Sequence, residues 1–396
     1  MNKKKYQIII FVYQNLTKYL YKKFAIQYLE KNGEKIKFLN ILKLVNKKVY
    51  YEYKNEKKLK SRIFKNIESY SELFNEIKQG KSRILFFNAA GNNNFAMLII
   101  NIYLKIKQAY GFKIISGGTL IEEKKLKVHE QLKKLRYFKF NSVLNFFKRK
   151  FVLFLNSFFQ PKLKFQIVGS PKIFDPLCKI SIKSHSYEYL GFLEKKKHNK
   201  KENYFLFIDQ ARDHTFDHKI NFGKNVFINK ENYYKSLSQL FSIIEKTHKT
   251  KVVIASHHRR LGKFPYLNKR KIIKNKTLEL ILKARGVITH DSLATRYAIF
   301  ANKPIIFIFN NDLKNSRPEK TKTIKGISKI LGSICLNLDL PKKKITKIIF
   351  SSKNLKIDKK KYENYIKRYL VFPDKIQKLN PYILLTKKYN QYVEQN

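Results

Sequence analysis

The sequence predicts two tandem Rossmann-like α/β domains facing a central cleft. Three observations predict this. Short apolar runs alternate with stretches that repeat every three to four residues. Small or polar residues stand where the apolar runs end. A charged linker, "KKKHNKKEN" (195–203), divides the series into two halves. Alternation of this kind gives parallel, doubly wound sheets, which bind ligands at the carboxyl ends of their strands.

In the first half, Tyr6–Tyr13 reads as a buried strand. Leu16, Leu20, Phe24 and Tyr28 follow at helical spacing, and Gly33 stops that helix. Ile36–Ile41 is the next strand. Ser69 and Glu72 form a capping box ahead of Leu73, Phe74 and Ile77. "RILFFN" (83–88) is a strand, followed by "AAGNNN" and a helix to about Lys107, and "FKIISGG" (112–118) is another strand. Residues 120–164 break the pattern. They contain "LRYFKFNSVLNFFKRKFVLFLNSFFQPKLKF", where aromatic rings alternate with Lys and Arg. Such a segment suits either a helical pair packed on the domain or an anionic membrane surface. "FQIVGS" (165–170) returns to the strand pattern.

In the second half, "YFLFID" (204–209) starts a new series. Leu237, Leu240, Phe241 and Ile244 mark a helix, and "KVVIAS" (251–256) a strand. Leu278, Ile281 and Leu282 mark a short helix, with "GVITH" and "PIIFIF" as further strands. The domain limits expected are 1–195, with the basic aromatic insertion at about 120–164, and 204–340. A Lys- and Tyr-rich helical tail follows at 341–396.

The 396 residues are 43% apolar, enough to fill real cores, so a disordered chain is excluded. Lys and Arg number 85 against 28 acidic residues, a net charge of +57. That excess favours anionic partners, but codon usage in an AT-rich genome gives a similar composition, so charge alone selects none. Cys178 and Cys335 are far apart, which excludes a disulfide framework and a cysteine zinc site. No stretch approaches the roughly 20 apolar residues of a membrane span.

Five polar clusters lie at predicted strand tips or turns. In "THDSLAT", Asp291 or Ser292 can cap the following helix, whose first N–H groups, with Ser292, Thr295 and His290, suit a phosphate. "IDQARDHTFDH" brings Asp209, His214 and Asp217 together as candidate acid or base. One loop does not close a metal site, so no metal is expected there. "IASHHRR" puts His257 and Arg259 past a strand tip, where Arg suits a diphosphate. "HSYEY" places His185 and Glu188 near the domain junction. In "NAAGNNN", Gly91 lets backbone approach a ligand, and Asn88 and Asn92 suit hydroxyls. The sequence has no Walker loop, no GxGxxG and no DxD grip for a metal–diphosphate.

"YFLFIDQARDHTFDH", "ENYYKSLSQLFSIIEK", "KVVIASHHR" and "KTLELILKARGVITHDSLATRYAIFANKPIIFI" resemble bacterial glycosyltransferases of the GT-B fold from surface-polysaccharide and lipopolysaccharide loci. So do "LTKYLYKKFAIQYLEKNGEKIKFLNI" and "HSYEY", in the same order. The resemblance implies a nucleotide-sugar donor held mainly by the second domain, with no cofactor. It implies transfer to a glycan or lipid-linked acceptor by a cytoplasmic protein, peripheral on the inner membrane face. In that reading His290, Ser292 and Thr295 hold the donor phosphates. His257 and Arg259 neutralise the leaving diphosphate, and Asp209, His214 or Asp217 supplies the acid or base. The acceptor lies against Asn88, Gly91 and Asn92, with His185 and Glu188 nearby. Two rivals are an epimerase or polyol-phosphate transferase on the same frame, and a basic nucleic-acid- or membrane-binding protein. The second lacks any nucleic-acid-binding motif, so no specific nucleic acid is expected.

Overall fold

The computed structural model describes residues 6–54, 59–78, 83–91, 94–115, 140–171, 175–176, 178–196, 202–213, 220, 229–258, 260, 264, 266–267, 270–352, 355–372, 376 and 378–395. Two parallel sheets organise the chain. The first has seven strands: β1 (Tyr6–Val12), β2 (Ile36–Asn40), β3 (Phe64–Asn66), β4 (Arg83–Asn88), β5 (Tyr110–Ile115), β6 (Leu163–Val168) and β7 (Ile180–Lys183). Their order is β3-β2-β1-β4-β5-β6-β7. The second has six: β8 (Tyr204–Ile208), β9 (Lys251–Ser256), β10 (Ile272–Lys274), β11 (Gly286–Thr289), β12 (Ile305–Phe309) and β13 (Ile334–Asn337), in the order β10-β9-β8-β11-β12-β13. Both follow the doubly wound plan, with a switch in strand order beside the first strand of each.

The apolar runs are continuous because both sheet faces are covered. In β1, Ile8 and Ile10 join the core on one face, and Ile9 and Phe11 the core on the other. In β8, Leu206 and Ile208 face one core while Phe205 and Phe207 face its opposite. A Cβ on Gly286 of β11 would sit 2.6 Å from the Phe205 ring, so the close approach of these two strands requires glycine there.

The capping box forms in shifted form. Ser69 Oγ accepts from the Glu72 N–H (3.2 Å), while the Glu72 carboxylate accepts from Glu68 N–H (2.8 Å). The strand expected at 112–118 starts earlier, at Tyr110, and runs through Ile115; residues 116–118 lie outside the described residues. Strands β3, β7, β10 and β13 were not read from the sequence. Each has only three or four residues, too few to show a period.

The chain crosses between the sheets twice. After β7, the helix Tyr187–Lys195 packs on the second core, with Tyr189 and Phe192 rings 5.1 and 5.5 Å from Phe300. Helices Lys342–Ser351 and Lys359–Tyr365 stay with the second domain. The helix Pro381–Gln395 returns to the first, where Tyr382 meets Phe24 (4.5 Å) and Tyr389 meets Phe165 (5.4 Å). Lys183, at the end of β7, holds its Nζ 5.8 Å from the Phe372 ring, so the two crossings touch.

Candidate functional site

The carboxyl ends of the second sheet carry an ionic cluster past the neighbouring strands β8 and β9. Arg260, just past β9, is its hub. Its Nε and Nη2 donate to both carboxylate oxygens of Asp209 (2.7 and 2.8 Å), and Nη2 and Nη1 donate to Asp213 (2.8 and 3.3 Å). The guanidinium also lies 4.1 Å from the Phe264 ring centre. Tyr234, from the helix Lys230–His248, donates its hydroxyl to Asp213 (2.8 Å). Asp209 accepts in addition from the N–H groups of Ala211 (2.8 Å) and His257 (3.0 Å). Burial works to raise the Asp213 carboxyl, but Arg260 outweighs it and holds the group below the usual carboxylate range.

A second unit stands at the tip of β11. Asp291 pairs with Arg212 and with Lys320 Nζ (3.4 Å), which comes from the helix Pro318–Leu331. Burial opposes its charge, yet Arg212 and Lys320 keep the Asp291 carboxyl low. One carboxylate thus sits between two cations, and the strand tip stays net positive. Ser292 Oγ accepts from Ala294 N–H (3.2 Å) and Leu293 is exposed.

The expected site residues divide. Ser292 and His257 lie at the edge, partly exposed. The His257 ring centre is 4.4 Å from that of His258. Asp209, His290 and Thr295 lie beneath the edge instead. The Asp209 carboxylate is filled by Arg260 and two backbone donors, so it positions the loops after β8 and β9. His290 is buried, with Nε2 3.4 Å from the Tyr233 hydroxyl. Burial, with Arg212 nearby, pulls its imidazole down to about 3, so it is neutral near pH 7. The buried Thr295 hydroxyl meets Thr289 Oγ1 at 3.3 Å. The helix that follows, Thr295–Phe300, is capped at Ala294 with no side-chain bond, neither by Asp291 nor by Ser292. His214, Asp217 and Arg259 lie outside the described residues, as does Asn92.

On the first sheet, Asn88 ends β4 and its Oδ1 accepts from Ala90 N–H (2.9 Å). Gly91 is exposed with φ +77°, a left-handed turn that favours glycine although a Cβ there would meet nothing. His185 and Glu188 are both buried at the junction. Glu188 lies 3.6 Å from Arg296 Nη1, on the helix Thr295–Phe300 of the second domain. Both are covered at this place and line no open surface. Burial, then Lys378, pulls the His185 imidazole down.

Arg212, Asp213 and Arg260 lie within the polar clusters "IDQARDHTFDH" and "IASHHRR", but the pattern singles out none of them; it marks Asp291 only as a helix cap, and Lys320 lies in no cluster. A strand-tip arginine was the available signal for Arg260. Nothing local points to Lys320, which only the fold brings to Asp291.

This arrangement defines a two-domain, Rossmann-like α/β protein of the GT-B type. Among solved structures, Arabidopsis thaliana UGT89C1 complexed with UDP is similar at a TM-score of 0.51 and 10% identity, covering 97% of this chain and 99% of that one. A variant of the wall teichoic acid polymerase TagF is similar at 0.50 and 11% identity, covering 99% and 91%. A UDP-GlcNAc 2-epimerase of Methanocaldococcus jannaschii, in complex with UDP-GlcNAc and UDP, aligns at 0.46 and 14%, covering 91% and 98%. No protein-family model matches the sequence, and no curated protein does. Identity this low carries the fold and leaves the reaction to the site.

Proposed function

We propose that this protein is a glycosyltransferase that moves a sugar from a nucleotide-sugar to a surface-glycan acceptor, lipid-linked or free, in the cytoplasm. The observation that carries the reading is the Asp291 unit. A carboxylate held between Arg212 and Lys320, at the switch point of the second sheet, leaves one positive charge in excess at that strand tip. That charge suits a diphosphate, whose negative charge grows as the sugar leaves. Side-chain cations supply it, so the reading is metal-independent. Ser292, next to Asp291 in the chain, and His257, past β9 on the same sheet edge, are further donors in this reading. Arg259, two residues after His257 in the sequence, joins them in this reading.

The Arg260 clamp holds Asp209 and Asp213 and so fixes the loops that present Arg212 and His257. The acid or base is assigned to His214 or Asp217, which follow β8 in the sequence. The first sheet offers uncharged donors and acceptors around Asn88 and Gly91, which suit acceptor hydroxyls. Asn92 extends that set. The fold is shared with UGT89C1, solved with UDP, and with the wall teichoic acid polymerase TagF, and this reading takes its pairing of a nucleotide-sugar with a surface polymer from that likeness of fold alone.

Thermal-shift titration of the full chain with nucleoside diphosphates and their sugars tests this. One base is expected to raise Tm, and Lys320→Ala and Arg212→Ala are each expected to weaken that binding about tenfold or more. No shift with any nucleotide, or an unchanged shift in both variants, overturns the assignment. Turnover of the nucleotide-sugar without an acceptor would mark an epimerase instead.

A further inference from the structure

The helix Phe140–Phe159 packs on the helix Phe95–Ile106 of the first domain. Asn101 Nδ2 donates to Asn156 Oδ1 (2.7 Å) in their buried seam, and Lys105 Nζ donates to the Phe158 carbonyl (2.9 Å). The outer face of the pair is unusual for a surface in water. Phe151, Phe154 and Phe158 are 61%, 57% and 59% exposed, and they recur three and four residues apart, on one face of the helix. The Phe154 and Phe158 rings touch at 4.8 Å. Phe159 and Ile106, exposed beside them, extend the patch across both helices. Single exposed apolar residues need no explanation, but a contiguous aromatic patch marks an interaction site.

The charges around the patch choose the partner. Lys105, Lys107, Lys148 and Lys150 are exposed on or beside these helices, and neither helix contains an acidic residue. A second copy of the chain would bring the same lysines, and another +57, against these. An anionic bilayer offers the complement: phosphates for the ammonium groups and an acyl boundary for the rings. Among the described residues no helix is long and apolar enough to cross a membrane. We infer that the exposed aromatic face of the 95–106 and 140–159 helices docks the protein on an anionic lipid surface, with Phe151, Phe154 and Phe158 entering the headgroup layer. This surface is separate from the nucleotide site, so its failure would leave the catalytic reading standing.

The chain contains no tryptophan, which gives a direct test. Phe154→Trp introduces a single reporter on the patch, and Phe350→Trp one at an exposed ring of the second domain. Vesicles of phosphatidylcholine with a quarter phosphatidylglycerol should blue-shift the Phe154→Trp emission and leave Phe350→Trp unchanged. In sedimentation with the same vesicles at physiological salt, a Phe151→Ser/Phe154→Ser/Phe158→Ser variant should bind about tenfold or more weakly than the unchanged chain. Its far-UV spectrum and Tm should be retained, since the rings are exposed.

No shift at Phe154→Trp, or a shift at Phe350→Trp alone, overturns the assignment. So does undiminished vesicle binding by the triple serine variant, which would mean that charge alone holds the protein. Self-association abolished by the serines, without lipid binding, would assign the patch to a second copy.

Discussion

Along the carboxyl edge of the first sheet, Asn66, Asn40 and Asn88 end three strands. Asn40 donates to Asn66 Oδ1 (2.9 Å), and Asn94 beyond β4 donates to the Tyr13 hydroxyl. The same edge of the second sheet carries Asp209, Arg212, Asp213, Arg260, Asp291 and Lys320. Both edges satisfy strand-end backbone with amides, Asn40 and Asn88 on one and Asn310 and Asn337 on the other, but the second adds ion pairs that are buried. A neutral edge needs no counter-charge and leaves dipoles for hydroxyl groups. A charged edge carries a large desolvation cost, which fits a place where an ionic ligand must be held. The two sheets share a plan, and their edge chemistry is what divides the labour between them.

The Arg260 clamp gives the sharpest way to break this contrast. Arg260→Met leaves Asp209 and Asp213 buried without their common cation, and should cost about 3–5 kcal/mol in urea unfolding. A loss near that of a neutral bond would show that the second edge is no more demanding than the first. The matching change on the neutral edge is smaller. Asn40 is buried, and Asn40→Ala removes its bonds to Leu42 N–H and Asn66, for about 1–2 kcal/mol by the same measurement.

The smallest expected effect concerns pH. The buried His290 imidazole is held at about 3, below its ordinary 6.5. Its neutral form is therefore favoured by folding, and that stability is whole above the ordinary value and lost as pH falls toward the folded one. Between pH 6 and pH 5 the wild-type chain should lose about 1 kcal/mol more than His290→Leu. Equal slopes would place the ring in water, back at the surface where the strand-tip sequence alone had put it.

The sheets were legible because β1, β4, β8 and β12 are unbroken apolar runs, and only a strand buried on both faces needs one. The short edge strands β3, β7 and β10 carry no such run. At the site, "IDQARD" and "HHRR" announced a polar edge, but pattern cannot tell a residue at a strand tip from one just beneath it. Tyr233 covers His290 from a helix elsewhere in the chain, and Thr289 turns Thr295 inward. Lys320 reaches Asp291 from beyond β12. These are facts of packing, set by how helices lie on the sheet, and no local spacing encodes them.

The double crossing sets the mechanics of the cleft. A domain tied by one strand of chain swivels about any axis. Here the second domain hangs from two ties, one after Lys183 and one after Phe372, and these two residues touch. Adjacent ties act as the two leaves of a door hinge: they leave one easy rotation and resist twist and shear. Any motion of the second domain relative to the first must then turn about the place where Lys183 meets Phe372.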